Sequence, residues 1–248
     1  MKKLSIGLVL PDVLGTYGDD GNALVLRERA RRRGIEAEFT PIRLRDAVPD
    51  DLDLYTLGGG EDVAQSIAAE HLANDGGLAR AVAAGRPVLA ICAGFQILGH
   101  KFRAGGKDID GLGLIDCTTS PLEVRAIGEL VTEPSGSWGL AKKLTGFENH
   151  MGRTELFGDA QPLAKVVRGI GNTGDDAGAE GATQGSILAT YMHGPFLARN
   201  PEVADALLAK ALGVKPSELP PLEDPAFGVI DKLREERINS KPRPRSER

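Results

Sequence analysis

Aromatic side chains make up only 4% of this 248-residue chain, and one residue is a tryptophan. A protein that grips single-stranded nucleic acid by stacking bases needs such rings, so that class is disfavoured. The formal net charge of −5 points the same way, because nucleic-acid surfaces are basic. Cysteine is scarce as well. Cys92 and Cys117 are too few for a disulfide framework, and reduced thiols are expected. No apolar run approaches the roughly 20 residues that a membrane-spanning helix needs. The opening MKKLSIGLVLPDVLG has two lysines before an apolar run, but it breaks at Pro11-Asp12 and offers no small-residue cleavage site. It reads as a first buried strand, in a cytoplasmic protein with no membrane anchor. The phosphate-cradling pattern G-x-x-x-x-G-K-[ST] is missing, so no ATP site is evident in this chain. GIGNTG, Gly169 to Gly174, does match a dinucleotide fingerprint. However, DDAGAEGATQG after it is no helix, and its acids would repel a pyrophosphate, so a flexible hairpin is expected.

What is present is ordinary for a soluble globular protein: 41% hydrophobic and 26% charged residues. The first half alternates strand and helix patterns. KLSIGLVL, EAEFTPI, LDLYTLGGG and PVLAI read as strands, and ALVLRERARRRG as a helix closed by Gly34. VAQSIAAEHLANDGGLARAVAAG is helical, with a break at Gly76-Gly77, and FQILGHKF starts another helix. Such alternation implies a parallel sheet covered on both faces. After Gly105, short apolar runs separated by Gly, Pro and Asp make the second half strand-rich. NPEVADALLAKALG is the last helix of the body, entered by Asn200-Pro201. The expected division is a main domain over 1–213, a partly helical extension over 214–238 and a disordered basic tail over 239–248.

Cys92 stands where a buried strand turns sharply into a helix. Two readings of it are open: a small hydrophobe filling a corner, or a nucleophile held clear of the sheet beside a helix start that favours thiolate. GSILATYMHGP brings His193 to another strand end, and a remote histidine can serve such a thiol as its base. In LGGGED, glycines at a strand end make a tight turn or let N–H groups face an oxyanion; with a nucleophile elbow nearby, the Gly60 and Ala93 N–H groups are the expected oxyanion hole. Of the other histidines, His71 is read as a surface residue. His100 is placed on the helix after Cys92, and His150 is given a mainly structural part.

AICAGFQILG, TLGGGED, GFENHMGRT and ATYMHGPFLARNP, in this order and spacing, resemble the class I glutamine amidotransferases of the cobyric-acid-synthase type. GTYGDDGNALVL and HGPFLARNPEVAD are most similar to the glutaminase subunits of lipid II isoglutaminyl synthase. The resemblance covers roughly residues 4–213. It implies a flavodoxin-like α/β fold with a mostly parallel central sheet, Cys92 as nucleophile, His193 as base and, less directly, Arg125 holding the substrate glutamine. The alternative for Arg125 is a surface salt bridge. No metal or cofactor is expected here; ATP and Mg are assigned to a MurT-like partner of the Mur ligase family, which would meet lipid II. Family members commonly have glycine at the positions of Ala90 and Ala93. Ordinary class I enzymes also carry a glutamate two residues after the histidine, where this chain has Pro195. A carboxylate elsewhere in the chain, a backbone carbonyl or a partner's acid would then orient the imidazole. Of these, the partner's acid is the favoured expectation. Amidation of cobyrinic acid and a non-catalytic scaffold are the rival readings.

Overall fold

The computed structural model describes residues 3–175, 178–222 and 227–239. Two six-stranded sheets share one hydrophobic core. The chain begins with β1 (Leu4–Val9), α1 (Gly21–Arg32), β2 (Ala37–Ile42), β3 (Leu54–Leu57), α2 (Asp62–Asp75), α3 (Gly77–Ala83), β4 (Val88–Ile91) and α4 (Ala93–Leu98). The second half supplies β5 (Lys101–Ala104), β6 (Lys107–Asp110), β7 (Cys117–Pro134), β8 (Leu144–Leu156), β9 (Ala164–Arg168) and β10 (Ala179–Glu180). It then returns through β11 (Ala182–Gln184) and β12 (Ile187–Thr190) to α5 (Phe196–Arg199), α6 (Pro201–Leu212) and α7 (Phe227–Asn239).

The first sheet has the order β2-β1-β3-β4-β12-β11, parallel throughout except for the β11–β12 edge. This is the doubly wound arrangement expected from the alternating pattern. Every residue of β3, β4 and β12 is buried, which explains why these strands read as unbroken apolar runs rather than alternating ones. Chain order steps from β1 outward to β2, then back past β1 to β3 and β4. With right-handed crossovers, that reversal sends α1 and α2 to opposite faces and opens a crevice at the carboxyl ends of the central strands. The left-handed Gly76, at φ 69°, divides α2 from α3, as the paired glycines predict.

The second sheet runs β10-β9-β7-β5-β6, with β8 along β7, and is antiparallel apart from the β5–β7 contact. Its β7–β8 ribbon breaks register between Pro121 and Ala126. The Phe147 and His193 main chains exchange hydrogen bonds of 2.9 and 3.3 Å, fastening this sheet to the end of the first.

Two elements differ from the expected ones. The helix after Cys92 is only six residues long and does not include His100. The cause is local: the Ile97, Leu98 and Gly99 carbonyls accept from the Leu112, Leu114, Ile115 and Gly113 N–H groups, so a crossing segment takes the place of another turn. His100 instead sits beside Asp116, its Nε2 3.3 Å from the carboxylate. The extension beyond Gly213 contains α7, which continues to Asn239, the first residue assigned to the basic tail. The rest of that tail lies outside the described residues. GIGNTG forms no helix and links β9 to β10, with Glu148 accepting from the Ile170 and Gly171 N–H groups.

Candidate active site

Cys92 follows β4 directly and precedes the first residue of α4, with φ 51° and ψ −102°. A non-glycine residue with positive φ costs on the order of 1–3 kcal/mol and persists only where its surroundings enforce it. Here they do. The Cys92 N–H donates to the Thr190 carbonyl at 2.9 Å, and Gln96 N–H returns to the Cys92 carbonyl at 3.1 Å. Gly94 makes the turn feasible, since a Cβ there would stand 2.9 Å from Leu57 Cβ and 3.1 Å from the Gly58 carbonyl oxygen. The thiol is thereby held at the sheet's carboxyl edge.

His193 reaches the same place from β12. Its ring is buried, and Nδ1 lies 2.9 Å from Asp19 Oδ2. Asp19 also accepts the Gly59 N–H at 3.0 Å. Gly59 is the pivot of the group: a Cβ built on it would meet His193 Cε1 at 2.8 Å, Asp19 Oδ2 at 3.2 Å and Cys92 Cβ at 3.4 Å. Thiol, imidazole and carboxylate thus crowd around one glycine, which has to lack a side chain. Because a carboxylate only accepts, Nδ1 carries a proton and Nε2 is left for chemistry; it has no hydrogen-bond partner among the described residues. Burial pulls the His193 pKa down, but the Asp19 and Cys92 contacts outweigh it and hold the ring up at about 10.

The favoured expectation of a partner-supplied acid is therefore corrected, because the orienting position on His193 is filled by this chain's own Asp19. That residue belongs to the GTYGDDGN loop between β1 and α1, far from His193 in sequence. Pro195 stands two residues after His193, where no carboxylate is available to the ring.

Cys92 opens into a cavity of about 550 Å³ whose lining includes Gly60, Ala93, Arg125, Asn149 and His150. Of the residues expected at the site, Cys92, Gly60, Ala93 and Arg125 line this cavity, while His193 does not line it and stands beside Cys92 at Gly59. Among the described residues, neither the Gly60 nor the Ala93 N–H has a protein acceptor. Arg125 lies in the irregular stretch of β7, where its Nε donates to Asn149 Oδ1 at 2.7 Å. His150 is buried in the wall, stacked on Tyr191 with ring centroids 3.7 Å apart, and its Nδ1 donates to the Gly152 carbonyl at 3.0 Å.

Beneath the cavity runs a polar chain that the sequence does not announce. Gln65 donates to Gln96 at 2.6 Å, Gln96 donates to the Tyr191 hydroxyl at 3.1 Å, and Thr154 and Thr119 continue the line. All five side chains are buried. Each partner satisfies the next, so the floor is rigid as well as polar.

Residues 5–201 match the model of the CobB/CobQ-like glutamine amidotransferase domain. The chain belongs to this family. It is 37% identical over 214 residues to the lipid II isoglutaminyl synthase (glutamine-hydrolyzing) subunit GatD of Staphylococcus aureus, covering 85% of each chain. It is 36% identical to the GatD subunit of Streptococcus pneumoniae, covering 90% of this chain and 86% of that protein. A probable cobyric acid synthase of Methanothermobacter thermautotrophicus is 33% identical, but the match covers 59% of this chain and only 31% of that protein. Among solved structures, a glutamine amidotransferase superposes with a TM-score of 0.57 at 20% identity, over 84% of this chain and 99% of that one. A Thermotoga maritima glutamine amidotransferase gives 0.56 at 15% identity, over 97% and 100%. These superpositions show the class I amidotransferase fold. No described helix is long and apolar enough to cross a membrane.

Proposed function

We propose that this protein is the cytoplasmic glutaminase subunit of a lipid II isoglutaminyl synthase. The observation that carries the reading is the convergence of Cys92, His193 and Asp19 around Gly59, with Cys92 opening into the cavity. The similarity to two GatD subunits over most of both lengths supports the choice of acceptor.

In this mechanism the Cys92 sulfur attacks the side-chain amide carbon of L-glutamine, and the Gly60 and Ala93 N–H groups stabilise the oxyanion. Each such donor is worth about 3 kcal/mol. Arg125 holds the α-carboxylate. Protonated His193 gives its proton to the leaving nitrogen, ammonia departs, and a γ-glutamyl thioester remains. The pKa logic then reverses. Acylation ties up the sulfur in the thioester, and with it removes one of the two contacts that hold the imidazole protonated. His193 can now take a proton from water, which attacks the thioester and releases glutamate. Asp19 keeps the ring in one tautomer throughout.

The ammonia is used by a Mur-ligase-like, MurT-like subunit that binds ATP and Mg and amidates the D-isoglutamate α-carboxylate of the lipid II stem peptide. The test is transfer of label. With L-glutamine carrying heavy nitrogen in its side-chain amide, this chain, the partner, ATP and lipid II should give labelled amide on the stem peptide. Label on cobyrinic acid, with none on lipid II, would overturn the acceptor assignment.

A further inference from the structure

The cavity around Cys92 is lined by charges of both signs, and two of them are already engaged. Arg103 pairs with Asp108 at 3.3 Å, and Asp62 Oδ2 accepts the Gly105 N–H at 2.8 Å. Arg125 and Glu61 differ. Arg125 is steadied by the neutral Asn149 amide and forms no ion pair among the described residues. Glu61 accepts the Tyr17 hydroxyl on Oε1 at 2.9 Å and likewise forms no ion pair among the described residues. A guanidinium and a carboxylate left uncompensated in one cavity are the complement of a zwitterion.

Substrate size makes the match specific. Only two methylenes separate the side-chain amide of glutamine from its α-carbon. With the amide carbon at the Cys92 sulfur, the ammonium and carboxylate therefore stay within the same cavity. Arg125 suits the carboxylate, which leaves the ammonium in need of an anion.

We propose that Glu61, oriented by Tyr17, receives the α-ammonium of the substrate and so restricts the site to α-amino acids. The inference rests on the glutaminase reading and adds a specificity determinant to it. Tyr17 is suited to its part. Burial and the Glu61 contact raise its pKa, so the phenol stays a donor and engages one carboxylate oxygen, leaving the other to receive the ammonium. Its ring also lies 4.8 Å from the His193 ring, on the loop that carries Asp19. Asp62, next in sequence, is committed to the β5–β6 turn and does not compete for the ammonium.

The experiment uses covalent labelling of Cys92 in the full chain, followed by mass spectrometry. One probe is the diazoketone analogue of L-glutamine; the other is the same diazoketone without its α-amino group. The ratio of the two rates in one protein isolates the ammonium contact and cancels any general change in thiol reactivity. In the wild type the amino probe should react at least about tenfold faster, as a lost charge-assisted hydrogen bond requires. In Glu61→Gln, an exposed and shape-conserving change, the ratio should fall towards one. A wild-type ratio near one, or a Glu61→Gln ratio within twofold of the wild type, would overturn the proposal while leaving glutamine hydrolysis standing. If neither probe labels wild-type Cys92 faster than iodoacetamide does, the glutaminase reading falls and the proposal falls with it.

Discussion

The Asp19–His193 contact is a single hydrogen bond, and it has consequences that can be measured separately. The folded pKa of His193 lies above its ordinary value of 6.5, at about 10. A group raised in this way contributes stability that is fully present below about pH 6.5 and is lost as pH rises through about 10. Asp19→Asn should therefore lower the melting temperature most at acidic pH, with the gap to the wild type shrinking between pH 6.5 and 10. The same change should cut kcat for glutamine by at least about tenfold and move the His193 limb of the pH–rate profile to lower pH. A profile that does not move would show that Asp19 does not set the state of the ring. This residue also marks the limit of what could be read from the chain. Cys92 and His193 are legible because each ends a recognisable buried strand. Asp19 is not, because GTYGDDGN carries two adjacent aspartates on a loop with no periodicity, and only the folded strand edge shows which of them meets the imidazole.

At the scale of elements, β10 is tied to the end of β12 by a buried polar seam. Glu180 is fully buried, and its Oε1 accepts both the Thr190 hydroxyl and the Tyr191 N–H, at 2.8 and 2.7 Å. Burial raises its pKa to about 7, against those hydrogen bonds, which favour the charged form. For an acid the sign is opposite to that of His193. The unfolded chain ionises from about pH 4.5 while the folded one holds its proton, so this group costs stability as pH rises from 4.5 to 7. Glu180→Gln keeps the accepting oxygen and removes the titration. It should melt a few degrees higher than the wild type at pH 8 and show little gain at pH 4, measured by circular dichroism. Equal shifts at both values would contradict the assignment. The strands of this region were visible in the sequence as apolar runs between glycines. Their pairing was not: β7 pairs with β5 past β6 and with β9 past β8, and the bulge in the β7–β8 ribbon leaves no mark in composition. The short α4 was hidden for a related reason: FQILGHKF has a helical pattern, yet the Leu112–Ile115 segment takes the carbonyls that a longer helix would have used.

Over the whole molecule, the doubly wound sheet was legible from alternation alone, since buried parallel strands and amphipathic helices follow different periods. What the whole chain adds is self-sufficiency. The Cys92 thiol comes from the end of β4, the His193 imidazole from the end of β12 and the Asp19 carboxylate beside it from the loop after β1. The main-chain bridge between Phe147 and His193 fastens the second sheet over them. An amidotransferase subunit built in this way should hydrolyse glutamine before its synthetase arrives, with the partner governing where the ammonia goes. The most direct test is steady-state glutamate release from L-glutamine by the purified chain alone, for the wild type and for Cys92→Ser. The account predicts measurable turnover by the wild type and a fall of at least about 10³-fold in the variant. Equal rates from the two proteins would contradict it.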